Sequence, residues 1–288
     1  MVAHGTAGIH VLGGFASVYT ILSEVEHFAV LKSTDDSAFL FSEARKINPR
    51  LLTIHRNIHL VSYGLKNCPD GYGLGTVTQA RALADSWFQT QINTWEARNL
   101  LTPGLVTWYE AANECGAQPS DWENAFWIRI LDLADSRGLC MSVFSDSYGT
   151  PEVDQFVARS LIFDRILSGP RCKNGERHII SLHVYGNTAS GPWIWGRWLL
   201  FRDALLAIDP KYAGLRFAFT EFGVTNAQNQ NDGRGSADCG RAAQETADAV
   251  KAYRAHPEIV GFMLYSFGSG TEWLDLQPCV SQIAAVLQ

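Results

Sequence analysis

Two short segments, residues 106–115 and 215–224, each carry an apolar run into a glutamate, Glu114 and Glu221. Carboxyl groups drawn together from distant positions can divide the work of acid–base and nucleophilic chemistry. Two negative charges in proximity raise the pKa of one, which then donates a proton near neutral pH while its partner stays ionised. A hydrophobic strand ending in Glu is as often a surface carboxylate. The reading therefore depends on whether the fold brings the two together.

Apolar runs of strand length occur at 8–12, 28–31, 51–54, 105–109, 139–144, 179–185, 215–220 and 260–267. Segments with helical period or helical termini lie between them, at 16–26, 36–47, 76–99, 121–137, 151–167, 193–208 and 237–255, with a short last one after Pro278. Several boundaries carry their own signals. Ser120 with Glu123 three residues on has the form of a capping box, Gly138 is a stop after Arg137, and Thr150-Pro151 offers an N-cap followed by proline. Strand and helix alternate throughout, and nearly continuous hydrophobic strands suit a parallel sheet covered on its outer face. The expectation is a single-domain (β/α)8 TIM barrel over residues 1–288, with Glu114 ending the fourth strand and Glu221 the seventh.

Composition fits one domain: 47% hydrophobic and 18% charged, with no linker, repeat or low-complexity stretch dividing the chain. A net charge of −6 speaks against nucleic acid or an anionic membrane surface as partner. No apolar run approaches the roughly 18 residues of a membrane span. The N-terminal MVAHGTAG has neither the charged nor the apolar region of a signal peptide, so the expectation is a mature or trimmed chain. In a barrel the six cysteines fall into neighbouring loops: Cys68 with Cys115 and Cys239 with Cys279 on one face, Cys140 with Cys172 on the other. Three disulfides in these pairs imply a secreted, extracellular protein, against the alternative of six reduced thiols. No CxxC spacing is present, and the single HxxxH spacing, His55 to His59 just after the third strand, is not read as a metal site; no cofactor is expected.

Asn113-Glu114 on strand four, His183-Val184-Tyr185 on strand six and Thr220-Glu221 on strand seven together resemble the arrangement of glycoside hydrolase clan A, the retaining "4/7" barrel glycosidases. The resemblance implies a carbohydrate substrate, Glu114 as acid/base and Glu221 as nucleophile, with the carboxyl groups about 5–5.5 Å apart. It also implies that Asn113 binds the sugar 2-hydroxyl, the alternative being that it satisfies the strand end. Tyr185 is either a hydrogen-bond donor to Glu221 or a packed strand tyrosine, and an inward His183 is either a site residue or a satisfied core group.

The chain departs from the clan in two places. The strand-two arginine that commonly supports the nucleophile is missing, and Lys32 or Arg56 takes that role. The strand-eight tryptophan is missing too, leaving Tyr265 or Trp273 as substitute. Of nine tryptophans, Trp193, Trp195 and Trp273 follow strands six and eight and are candidates to stack on sugar rings. Trp87, Trp95, Trp122 and Trp127 read as outer-shell packing on helices. Short loops after most strands leave an open groove and favour endo-action on a poly- or oligosaccharide by a monomer. Competing readings are a non-catalytic carbohydrate-binding barrel and an inverting or cell-wall lytic barrel hydrolase.

Overall fold

The computed structural model describes residues 5–12, 16–34, 37–57, 67–186, 195–230, 234–268 and 274–288. Eight parallel strands close into a barrel in sequence order: β1 (Thr6–Val11), β2 (Val30–Thr34), β3 (Leu52–Arg56), β4 (Trp108–Glu110), β5 (Met141–Asp146), β6 (Ile179–Tyr185), β7 (Phe217–Gly223) and β8 (Ile259–Phe267). The helices outside are α1 (Ala16–Leu22), α2 (Ala38–Ile47), α3 (Val77–Ala97), α4 (Ser120–Arg137), α5 (Val153–Val157), α6 (Ser160–Ser168), α7 (Arg197–Ile208), α8 (Cys239–Tyr253) and α9 (Val280–Ala285). This is the predicted (β/α)8 barrel. No described helix is long and apolar enough to cross a membrane.

Period-two alternation divides the apolar residues between two cores. Val30, Leu52, Ile54, Trp108, Cys140, Ile179, Ala218, Val260 and Met263 form one cluster that fills the barrel. Their strand neighbours, Leu31, Tyr109, Ile180 and Phe217 among them, face the helices and join the larger outer core. Trp108 belongs to the inner cluster, fully buried, with its indole N–H donating to the Arg177 carbonyl at 2.8 Å. Strand β1 passes so close to β2 that a Cβ on Gly8 would sit 2.5 Å from the Val30 carbonyl oxygen. The four helix tryptophans expected to pack are all buried, Trp127 between the Tyr72 hydroxyl and the Phe144 ring.

Three local expectations need correction. Helix α4 begins at Ser120 itself and makes no side-chain cap there, because Glu123 is drawn into a buried ion pair with Arg159 instead. The helix after Pro151 starts at Val153 with Glu152 and Gln155 forming the capping box, and it breaks into α5 and α6 around Arg159, whose guanidinium turns inward. Strand β4 ends at Glu110, so Glu114 lies in the loop beyond it. Gly138 does stop α4, at φ +70°. The three disulfides are Cys68–Cys115, Cys140–Cys172 and Cys239–Cys279, as the barrel topology required.

Candidate active site

The C-terminal ends of the strands gather the candidate residues. Glu221, in β7, is buried to 5% exposure and is held from three sides. Arg56, the last residue of β3, donates from Nη1 to Glu221 Oε1 at 2.9 Å and also to Asn113 Oδ1. Tyr185, the last residue of β6, donates its hydroxyl to Glu221 Oε2 at 2.6 Å. His183 Nδ1 stands 3.5 Å from the same oxygen. Burial by itself raises the pKa of this carboxyl, but the fields of His183, Arg56, Lys32 and His10 outweigh it and hold Glu221 well below the usual range.

Glu114 is built differently. Its side chain is 37% exposed, and His183 Nδ1 lies 2.8 Å from its Oε1; with the carboxylate ionised, the ring N–H is the donor. Its backbone is left-handed at φ +53°, and its N–H donates to the Ser145 carbonyl at 3.0 Å. Ser145 sits in the bulge of β5, where Phe144 and Ser145 are also left-handed and the β5–β6 register shifts. Sparsely populated backbone of this kind is found where a side chain must be aimed. The disulfide between Cys115 and Cys68 and the bond from the Asn113 N–H to the Asn67 carbonyl, 2.9 Å, tie down the rest of the loop. One oxygen of Glu114, one of Glu221 and a nitrogen of His183 all lie within 4.8 Å of one another.

The sequence expected two close carboxyls to push one of them up. In the free protein Glu114 instead lies below its ordinary value. Burial and the Glu221 charge raise it, but the hydrogen bond and charge of His183, with help from Ser147, outweigh both.

Of the remaining candidates, Tyr265 is inside the site, its ring centroid 5.0 Å from His10 and 6.0 Å from Tyr185. Between the two candidate supports of Glu221, Arg56 makes the contact. Lys32 is fully buried and pairs with Glu110 Oε2 at 2.7 Å. Trp195 is not brought to the carboxylates: it packs against Tyr253 of α8 and lines a small cavity there with Phe222 and Ala249. Trp193 and Trp273 lie outside the described residues.

Sequence reasoning missed three neighbours. Glu110 and His10 are buried beside the site, and strand alternation from Trp108 and from Gly8 would have turned both inward. Tyr148, in the loop after β5, is 53% exposed with its ring 5.9 Å from that of Tyr185, and nothing in its neighbourhood of the sequence marks it.

No family model matches this chain, and no curated protein matches it. Solved structures do. A β-glucuronidase from Ruminococcus gnavus in complex with uronic isofagomine superposes with a TM-score of 0.57 at 13% identity, covering 98% of this chain and 50% of that one. The β-glucuronidase from the same organism in complex with D-glucuronic acid gives 0.54 at 13%, covering 98% and 49%. A GH2 β-galacturonidase from Eisenbergiella tayi bound to glycerol gives 0.54 at 10%, covering 99% and 50%. The chain spans about half the length of these proteins, and at such identities the likeness establishes the barrel.

Proposed function

We propose that this chain is a retaining glycoside hydrolase that cleaves a poly- or oligosaccharide by double displacement, with Glu221 as nucleophile and Glu114 as acid/base. The carrying observation is the carboxylate pair, with oxygens within 4.8 Å of one another and His183 between them. Inversion needs the carboxyls about 6.5–9.5 Å apart so that a water fits, and the closer spacing favours direct attack. The solved structures named above are glycosidases, which agrees with the reaction class.

Each residue then has a physical task. Arg56 and Tyr185 keep Glu221 ionised and aimed at the anomeric carbon, where it displaces the leaving oxygen and forms a glycosyl ester. Glu114 gives that oxygen its proton. A bound sugar covers the half-exposed Glu114 and strips its water, which raises its pKa toward the range of a proton donor. Once Glu221 is esterified its negative charge is gone, so Glu114 ionises more readily and takes a proton from the water that attacks the ester. Two inversions give net retention. Asn113, fixed by Arg56, is placed to hold the 2-hydroxyl. Most connections that follow the strands are short in sequence, which favours endo-action on internal chain segments. Three disulfides fit a secreted monomer working in an oxidising environment.

Glu221→Ala and Glu114→Ala should each leave the fold intact and lower turnover by about 100-fold to 10,000-fold. Added azide should rescue Glu221→Ala and yield a glycosyl azide of inverted configuration, whereas Glu114→Ala should lose least on substrates with activated leaving groups. Wild-type turnover in either variant refutes the assignment. The pH profile gives a second test. Catalysis needs Glu221 ionised and Glu114 protonated, and both lie below the ordinary glutamate value in the free protein. The profile of kcat/KM should therefore peak on the acid side and fall as pH rises through the Glu114 pKa. A maximum above neutrality contradicts the roles given. Product-length analysis on a polysaccharide panel decides endo-action, early release of long fragments being the expected result.

A further inference from the structure

Four formal charges are enclosed by the strands: Lys32 on β2, Arg56 on β3, Glu110 on β4 and Glu221 on β7. The proposed reaction uses two of them. Lys32 and Glu110 have side chains with no exposure at all and form an ion pair at 2.7 Å, so neither touches substrate. Register makes their presence informative. Arg56 and Glu110 are Cα partners across the β3–β4 ladder, which makes Glu110 the nearest carboxylate to Arg56 along the sheet. Glu221 belongs to β7, on a strand that does not border β3. Yet Arg56 bonds Glu221 and Asn113, and its own Nε is buried without an acceptor. The guanidinium reaches past Glu110, whose Oε2 lies 2.7 Å from Lys32 Nζ while its Oε1 is buried without a hydrogen-bond partner.

We infer that Lys32 is a positioning residue for the nucleophile: by holding Glu110, it leaves Arg56 committed to Glu221 instead of shared between two buried carboxylates. The inference rests on the reading of Glu221 as nucleophile. An unpaired carboxylate inside the barrel is costly, and with Lys32 gone the Arg56 guanidinium is the cation beside it. Glu221 then loses its bidding for that cation, and its aim with it. Lys32 also carries a charge of its own that Glu221 feels, so the test must separate a direct field from the effect through Glu110.

Titration of Glu221 is read against the groups that face it: His10 on β1, Lys32 on β2, Arg56 on β3, Glu114 after β4, His183 and Tyr185 on β6, and Tyr265 on β8. In protein labelled with carbon-13 at glutamate carboxyls, the Glu221 signal is identified by its loss in Glu221→Gln. In Lys32→Met that signal should titrate at least about one pH unit higher, and kcat/KM should fall about 100-fold. In Lys32→Met/Glu110→Gln the competing carboxylate is neutral. Glu221 should titrate as in wild type, and kcat/KM should recover to within about 10-fold. A double variant as shifted and as slow as the single one overturns the inference, since Lys32 would then act through its own charge or on the fold alone. Should Lys32→Met fail to fold, the double variant decides by itself, because replacing a buried ion pair with neutral groups is commonly tolerated. The titration needs no substrate. A protein inert on every glycoside but showing the rescue in titration would refute the functional reading and keep the inference; an active enzyme without the rescue would do the reverse.

Discussion

Arg159 and Arg56 are both buried guanidiniums that face two carboxylates, one on the outside of the barrel and one within its mouth. Arg159 spends every nitrogen. Its Nε and Nη2 donate to the two oxygens of Glu123 at 3.0 and 2.9 Å, and Nη1 and Nη2 donate to Asp146. The Phe144 ring covers its face at 4.2 Å. The Tyr72 hydroxyl, 3.4 Å from Glu123, and the Trp127 indole extend the network into α4. Around Arg56 the accounts stay open: its Nε, His183 Nε2 and both His10 nitrogens are buried without hydrogen-bond partners, and Glu114 opens to solvent. A closed network fixes a fold, whereas one with spare donors and an exposed acid suits the substrate-binding role proposed for it.

The largest separation between the two regions should come from removing each arginine. Arg159→Met strands Glu123 and Asp146 in the core and should cost about 3–5 kcal/mol of stability, with the folded fraction retaining wild-type kcat. Arg56→Met should cost less stability, because Glu221 keeps Tyr185 and His183, yet lower kcat/KM about 100-fold or more. Melting temperature and kinetics on both variants decide it. A dead but stable Arg159→Met would show that the outer network also serves the site.

The disulfides offer a finer version of the same contrast. Cys68–Cys115 and Cys140–Cys172 close loops of similar length, 47 and 32 positions, so on chain entropy each contributes about 4 kcal/mol. Only the first is joined to the site, since Cys115 follows Glu114 directly. Replacing either pair by serines should lower the melting temperature by similar amounts, while kcat should fall several-fold in the 68/115 variant and stay level in the 140/172 variant. Equal kcat in both would mean that the β5 bulge alone holds Glu114.

How much of this was legible in the sequence follows from the range of each interaction. The barrel was legible because strand patterning is local, and Glu221 came with it as a residue at a strand end, whereas His183, Tyr185 and the choice between Lys32 and Arg56 came from the resemblance to clan A. The same rule contained Lys32 and Glu110: two opposite charges at inward positions of short apolar strands must pair, although attention to Glu114 passed over Glu110 four residues earlier. Where a distant partner intervened, local patterns misled. Ser120 and Glu123 have the spelling of a capping box, but Arg159, far along the chain, outbids the cap. The place of Trp195 against Tyr253 of α8 was equally beyond reach, because it depends on a partner 58 positions further along the chain. The lowered pKa of Glu114 required knowing that His183 comes nearer to it than to Glu221.

Tyr148 carries the smallest effect and tests which side of the site binds the departing sugar. Its neighbour Ser147 is among the groups that lower the Glu114 pKa, and its ring lies beside Tyr185, so it stands on the side of the proposed acid/base. A ring that is 53% exposed adds little to the core, and Tyr148→Ala should leave the melting temperature within about 1 °C. Loss of a stacking face should raise KM for oligosaccharides several-fold and leave small aryl glycosides almost unaffected, since an aryl leaving group offers no pyranose ring to stack. Tyr148→Phe should behave as wild type if the ring face matters and not the hydroxyl. The internal control is Trp127→Ala, whose indole is enclosed by the outer network: it should cost about 3–5 kcal/mol of stability and leave KM unchanged. If Tyr148→Ala weakens both substrate classes equally, the ring contributes to the subsite of the attacked sugar, and the leaving-group side must be sought across the cleft.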